Sequence, residues 1–232
     1  MAINYGTLKQ SEKELISKFY EYLEHGYQMH LNVLKALNGF DNLLNKSEIL
    51  EEIYSMEKVS NITHADLLDE STWIISKEQP QASHLRFVIA IINSINDLER
   101  ICDYANNLAK FLENNNEIHS SALEVLTNLE SKAIVNYQKT FEFFKKNDAY
   151  ETYQYGLQLQ KEFWHEYSDA LKNLRLIYLN ENNSFNAKNN VDSFIQLTLA
   201  LKNIERIIDH VMNIINHFVF IKESNFFFRK RA

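Results

Sequence analysis

Two pairs of carboxylates, each four residues apart within an apolar helical pattern, are the residues of this chain best suited to chemistry. Glu99 and Asp103 lie in the segment LERICDYANNLA, and Glu205 and Asp209 lie in IERIIDHVMNII. Residues four apart in a helix lie one turn above the other on the same face. Like charges at this spacing destabilise a helix by roughly 0.2–0.5 kcal/mol, so the two pairs predict a compensating cation.

Two sources of that cation are open. An arginine stands three residues before each aspartate, Arg100 and Arg206, and could form a surface ion pair of little energetic consequence. Alternatively, the carboxylates supply hard oxygen ligands to a metal, with Asn107 and Asn213 one turn further along as groups that orient the ligands. His210 directly follows the second aspartate but points about 100° away from it, so we interpret it as an orienting or packing group.

Long helices are predicted to position these residues. The 232-residue chain has one proline and four glycines, too few breakers for a strand-rich fold. Two pairs, Ser11 with Glu14 and Asp148 with Glu151, have the spacing of helix-start caps. Apolar spacing at three and four residues marks six helical segments, at residues 8–38, 47–78, 82–113, 117–146, 149–181 and 187–223.

An internal repeat relates the two halves of the chain. With an offset of 106 positions, segment 98–103 aligns with segment 204–209, and the apolar positions around them align as well. The sequence therefore predicts an all-α fold of two pseudo-symmetric three-helix bundles, residues 1–114 and 115–232. The last helix of each bundle then carries one carboxylate pair.

Composition excludes several classes of function. The net charge of -7 is spread along the chain, which leaves no basic face for nucleic acid. The chain lacks a secretory signal pattern and any run of 18 apolar residues, so we expect a soluble cytoplasmic protein. Cys102, the single cysteine, falls on an apolar stripe and is interpreted as a core residue. Phosphate loops, catalytic triads and zinc-type Cys/His sets are missing from the sequence.

Together the two motifs resemble the twin signatures of the PhoU family of phosphate transport accessory proteins. The segment QPQASHLR, residues 79–86, resembles the turn that leads into the first signature helix of that family. The resemblance spans almost the whole chain and implies the same fold of two three-helix bundles. It also implies that Glu99, Asp103, Glu205 and Asp209 line metal sites, which in this family hold iron or zinc, in some cases multinuclear, or other divalent ions.

The resemblance further implies a regulator that acts by binding and is not an enzyme. Proteins of this family restrain the high-affinity phosphate ABC transporter and relay its state to a phosphate-sensing histidine kinase where one exists. We therefore expect the ATPase subunit of the transporter as a partner and, where one exists, the histidine kinase. Pairing of two copies of the chain in a homodimer is left open by the sequence. Contact with the membrane is expected only through partners, although the run FFFRKR at residues 226–231 is a candidate for touching an anionic membrane surface.

This chain departs from the family pattern at two places. The family has Asp before the Leu-Arg of the turn, whereas this chain has His84. Glu57 matches a further acidic residue of the family in the first half, but the second half has Gln160 near the corresponding place, with Glu162 close by. We therefore expect the second site to be poorer in ligands, or empty.

Two other functions remain as alternatives. One is a ferritin-like carboxylate-bridged metal protein, although the single Glu-x-x-His motif at Glu162 and His165 falls short of the two that such bundles use. The other is a metal-free helical adaptor in which the arginines pair with the aspartates.

Overall fold

Six α-helices make up the computed structural model, which describes residues 5–180 and 187–222. They are α1 (Tyr5–Asn38), α2 (Leu43–Glu78), α3 (Ser83–Asn114), α4 (Ser120–Phe144), α5 (Ala149–Asn180) and α6 (Ala187–Lys222). The predicted all-α class is confirmed, and every predicted segment matches one helix to within four residues at each end. Within the described ranges, no helix is long and apolar enough to cross a membrane. The run at 226–231 lies outside them.

The two predicted helix starts have different outcomes. The cap at Asp148 is confirmed, because its side chain accepts a hydrogen bond from the Glu151 backbone N–H at 2.9 Å. The cap at Ser11 is wrong, because α1 already begins at Tyr5. Leu8, one turn before Ser11, is fully buried in the core, so apolar packing extends the helix past the polar signal. The Ser11 hydroxyl instead donates to Glu78 on α2 at 2.7 Å.

The helices pack in two groups of three that share one core. Helices α1, α2 and α3 contact one another, as do α4, α5 and α6, while α3 against α6 and α1 against α4 join the groups. The contact between α3 and α6 is the most extensive, and both helices bury apolar residues there. Tyr104 and His210, which are 106 positions apart, contact each other with 3.2 Å between hydroxyl and Nε2. Two repeats related by a twofold axis would bring equivalent residues together in this way.

A buried hydrogen-bonded pair also crosses between the groups. His30 on α1 places Nδ1 2.8 Å from an oxygen of Glu130 on α4. Its Nε2 lies 2.9 Å from the Ile101 carbonyl oxygen on α3. Because a carbonyl oxygen only accepts, Nε2 must carry a proton. This contact therefore holds three helices from both groups in one register.

The turn between α2 and α3 contains two residues with positive φ. Gln79 has φ 50 and Ala82 has φ 51, the only such non-glycine residues of the described backbone. Pro80, which is buried, lies between them. His84, in the first turn of α3, places Nδ1 2.8 Å from Glu12 on α1. The turn is thus fixed by backbone geometry and by contact with α1.

Replacing Ala82 by glycine is expected to raise the free energy of unfolding by about 1 kcal/mol, since only glycine adopts positive φ without a steric penalty. Chemical denaturation followed by circular dichroism measures the change. Gln81→Gly is the matched control, because Gln81 has ordinary φ and glycine there adds only unfolded-state entropy. Equal losses of stability in both variants would contradict the prediction.

Candidate metal centre

The first carboxylate pair lies at the contact between α2 and α3. Glu99 and Asp103 project from α3 with about a quarter of each side chain exposed. Arg100 lies between them, with 3.6 Å from its Nε to Glu99 and 3.1 Å from Nη1 to Asp103. The sequence-predicted arginine pairing is therefore present in this half.

Glu57 on α2 adds a third carboxyl group to this pair. The residue is 9% exposed, and one oxygen accepts a weak hydrogen bond from Asn61 at 3.3 Å. Its other oxygen, Oε2, is buried and has no hydrogen-bond partner among the described residues. Burial raises the pKa of Glu57, and the nearby Asp103 and Glu99 carboxylates add to the effect, bringing it to about 7. We refer to Glu57, Glu99 and Asp103 as the first cluster.

The second pair, on α6, has a different set of neighbours. Glu205 is 8% exposed, and the Lys202 ammonium group lies 2.5 Å from its Oε2. Asp209 accepts a hydrogen bond from the Gln160 side chain on α5 at 3.4 Å and lies 3.8 Å from Arg206. We refer to Glu205 and Asp209 as the second pair. Two cations and a neutral amide surround it.

The pKa of Asp209 reflects both burial and the charged groups around the second pair. Burial and then the Glu205 carboxylate raise the pKa of Asp209, while Arg206, Lys202 and His210 oppose that rise. Each acidic pair is thus partly desolvated, but only the second pair is balanced by a lysine.

Of the polar residues predicted near the pairs, the two in the second half lie beside a different carboxylate. His210 Nδ1 is 2.6 Å from Asp97 on α3, and the Asn213 amide donates to the same oxygen at 3.2 Å. His217 reaches the other oxygen of Asp97 at 2.9 Å. Asn107 is exposed on α3. The structure therefore brings His210 and Asn213 to the junction of α3 and α6, and it does not gather them around the second pair.

Asp97 at this junction is a residue that sequence reasoning missed. Burial raises its pKa, but hydrogen bonds from His210, His217 and Asn213 outweigh that effect, so the pKa lies below its usual value.

Lys202 was missed as well. A usable signal was present, because the offset of 106 aligns Lys202 with Asn96, and a charge at only one of two aligned positions marks a difference between the halves.

Neither acidic set is arranged around a common point. In the part of the chain that the structure describes, no group of three or more His, Cys, Asp or Glu side chains is placed to hold a metal ion. In the first cluster, Arg100 draws Glu99 and Asp103 towards itself. A cation would have to displace Arg100 from Glu99 and Asp103, and Asp103 already lies beside Glu57.

Cys102 lies beneath the first cluster and is fully buried, as predicted for a core residue. Burial raises the pKa of the Cys102 thiol to about 12, and the Glu57, Asp103 and Glu99 carboxylates add to the rise. Because the thiolate is the reactive form, its fraction at pH 8 falls about a thousandfold below that of a free cysteine.

We expect no reaction of the native protein with a disulfide reagent such as DTNB, and one thiol per chain in denaturant. Rapid release of one equivalent from folded protein would contradict this.

Comparison with known proteins identifies the family. A family model described as the PhoU domain matches residues 20–112, a range that contains the first cluster. The chain is 41% identical over 230 residues to the uncharacterized protein MG409 of Mycoplasma genitalium, covering 97% of this chain and 98% of that protein. It is 30% identical over 155 residues to the phosphate-specific transport system accessory protein PhoU of Edwardsiella tarda, covering 66% of this chain and 61% of that protein.

A solved structure agrees in fold. The crystal structure of PhoU from Pseudomonas aeruginosa superposes with a TM-score of 0.79 and 22% sequence identity, covering 93% of this chain and 99% of that one. The backbone likeness therefore includes all six helices, and the sequence matches add the motif-bearing helix α3. The chain belongs to the PhoU family.

Proposed function

We propose that this protein is an accessory protein of a phosphate transport system, and that it restrains high-affinity phosphate uptake by binding the ATPase subunit of the transporter. Membership of the PhoU family carries the proposal, since a relative in that family is named as a phosphate-specific transport system accessory protein. Such an ATPase subunit works in the cytoplasm, which we propose as the location of this chain. A phosphate-sensing histidine kinase is a second proposed partner.

The first cluster is the proposed metal site of this regulator. Carboxylate oxygens suit hard divalent cations. The buried Oε2 of Glu57 accepts no hydrogen bond within the described structure and could therefore serve as a metal ligand. Glu57, Glu99 and Asp103 would hold the ion, with iron or zinc as first candidates. The ion would supply positive charge that relieves the repulsion among the three carboxyl groups. Arg100 would then be released towards solvent, where a partner protein could contact it.

Co-purification tests the regulatory part of the proposal. The tagged full-length protein should retain the transporter ATPase from cells grown with ample phosphate, and deletion of its gene should raise phosphate uptake. A protein that neither retains the ATPase nor alters uptake on deletion would contradict the proposal.

Elemental analysis of native protein tests the metal part. Glu99→Gln combined with Asp103→Asn should remove the bound metal. The matched control is Glu166→Gln with Asp169→Asn, which removes two exposed carboxylates from α5 that pair with Lys132 and Lys172. Equal metal content in all three proteins would reject the first cluster as the site.

One observation favours a second candidate, the metal-free helical adaptor. Arg100 already lies within ion-pair distance of both Glu99 and Asp103, so the cluster has a cation of its own. In that case the native protein carries no metal. Removing all four motif carboxylates, with Glu99→Gln, Asp103→Asn, Glu205→Gln and Asp209→Asn, would then leave the metal content unchanged at zero.

A further inference from the structure

The two outer helices of the fold each carry an exposed tryptophan. Among the described helices, α2 contacts only α1 and α3, and α5 contacts only α4 and α6, so the two lie at opposite edges of the shared core. The chain has two tryptophans, Trp73 on α2 and Trp164 on α5, and they are 52% and 50% exposed. Tryptophan is enriched among the residues that contribute most of the binding energy at protein interfaces. Both edges therefore have the character of contact surfaces.

On α2, the exposed stripe combines apolar ends with an acidic middle. Spacings of three or four residues place five exposed residues on one face of the helix, namely Val59, Ile62, Asp66, Asp69 and Trp73. We refer to these residues as the acidic edge, which is about 21 Å long at 1.5 Å per residue. Asp66 and Asp69 form no ion pair with any residue that the structure describes. Their negative charge is therefore available to a partner.

On α5, the exposed stripe carries the opposite charge. Leu157, Lys161 and Trp164 lie on one face at spacings of four and three residues, and all three are exposed. We refer to them as the basic edge. In the described part of the chain, Lys161 also has no ion-pair partner. A shallow depression of about 480 Å³ opens on the same face, lined by Gln154, Tyr155, Leu157, Gln158 and Lys161.

The two edges match each other in charge and in spacing. If α5 of one copy lies antiparallel along α2 of another, Lys161 can be placed between Asp66 and Asp69. The apolar residues one turn away on each side of these charges then meet. In this register Trp73 lies over the depression beside Leu157, where a large aromatic ring can leave water.

Pairing of an edge with its own copy is disfavoured by charge. Two α2 helices packed on each other would bring the aspartates of both acidic edges together, and two α5 helices would oppose their Lys161 side chains. Like charges facing each other suppress such contacts, whereas the contact of α2 with α5 joins opposite charges. Because this contact uses a different surface on each copy, it leaves one acidic and one basic edge free at the two ends of a pair.

We propose that the acidic edge of one copy of the chain binds the basic edge of a second copy, so that copies associate head to tail. The contact joins one helix to another over about four turns, which is at the small end of specific interfaces. Association should therefore be weak and should increase with protein concentration. This inference goes beyond the proposed function, since it depends neither on a metal nor on the transporter.

Sedimentation velocity of the full-length protein from about 10 µM to about 1 mM tests the proposal. The weight-average mass of the wild type should rise by about twofold or more over this range, without a plateau at the mass of a dimer. Tryptophan emission should shift to shorter wavelength in parallel, because both rings become buried. Asp66→Lys with Asp69→Lys should remain monomeric, and so should Lys161→Glu.

Two control variants make the same charge changes away from both edges. Glu21→Lys with Glu24→Lys alters two exposed residues of α1 at the same spacing of three, and Lys139→Glu alters an exposed residue of α4. Both should associate as the wild type does. Circular dichroism checks that every variant is folded.

Mixing the two edge variants provides the converse experiment. Equal amounts of the Asp66→Lys, Asp69→Lys protein and the Lys161→Glu protein should regain the increase in mass, because each then meets an edge of opposite charge on the other.

Four results would overturn the proposal. They are a wild type that stays monomeric at about 1 mM, a wild type that stops at a dimer, association that survives either edge variant, and folded edge variants that do not associate on mixing. Loss of association in the control variants would equally overturn it, since the effect would then not belong to the two edges.

Discussion

Replacement of His30 by alanine is expected to lower the free energy of unfolding by about 3–5 kcal/mol, because it leaves a buried carboxyl group without its partner. Glu130 is 0% exposed, and one of its oxygens already has no hydrogen-bond partner within the described structure. After the substitution, neither oxygen would have one. The Ile101 carbonyl would lose the hydrogen bond from Nε2 as well. Guanidinium denaturation at pH 7, followed by circular dichroism and extrapolated linearly, measures the loss.

Two further variants separate this effect from simple loss of volume. In Glu130→Gln, the amide can still donate to His30 Nδ1, so the loss should be only about 1–2 kcal/mol. The double variant His30→Leu with Glu130→Leu removes both polar groups and should be more stable than His30→Ala. A loss below 1 kcal/mol for His30→Ala, or a double variant less stable than the single one, would show that the pair does not join the two groups of helices.

The fold could be predicted from the sequence because helix formation here depends on local patterns. Long apolar stripes with very few glycines and prolines define six helices, and only their ends are adjusted by packing, as at Leu8 and Ser11. The extensive contact between α3 and α6 was not predicted, because apolar periodicity does not specify which helices pack together. The turn at Gln79 and Ala82 could not be predicted, since neither residue type favours positive φ.

The candidate sites were predictable in part, for a similar reason. Arg100 with Asp103 and Arg206 with Asp209 are three residues apart on one helix, so their predicted pairing follows from helical spacing. Asp97 bonds His217 across 120 positions of sequence, and His30 bonds Glu130 across 100. Such contacts depend on how separate helices are placed, which apolar periodicity does not specify. The orientation of His210 towards Asp97 was missed for the same reason.

In metal-free protein, Glu57→Gln is expected to raise stability at alkaline but not at acidic pH. The folded pKa of Glu57 is about 7, raised from the usual 4.5 mainly by burial and by Asp103. Below pH 4.5 the side chain is protonated in both states, so its ionisation costs nothing. As pH rises towards 7, the unfolded chain ionises first and wild-type stability falls; above pH 7 the whole cost remains. Glutamine does not titrate, so the advantage of the variant should grow by about 1–3 kcal/mol between pH 4.5 and pH 8.

Denaturation curves in the presence of a chelator, recorded at both pH values, measure this difference. Glu162→Gln is the control, because Glu162 is exposed on α5 and should give the same small change at each pH. Addition of Mn²⁺ at pH 8 should then reverse the order, since only the wild type keeps all three carboxyl groups and gains stability from binding the ion. An advantage for Glu57→Gln that stays constant or shrinks as pH rises would mean that burial and the neighbouring carboxylates do not raise the pKa of Glu57. If the variant remains more stable than the wild type in saturating Mn²⁺, the first cluster does not bind the cation.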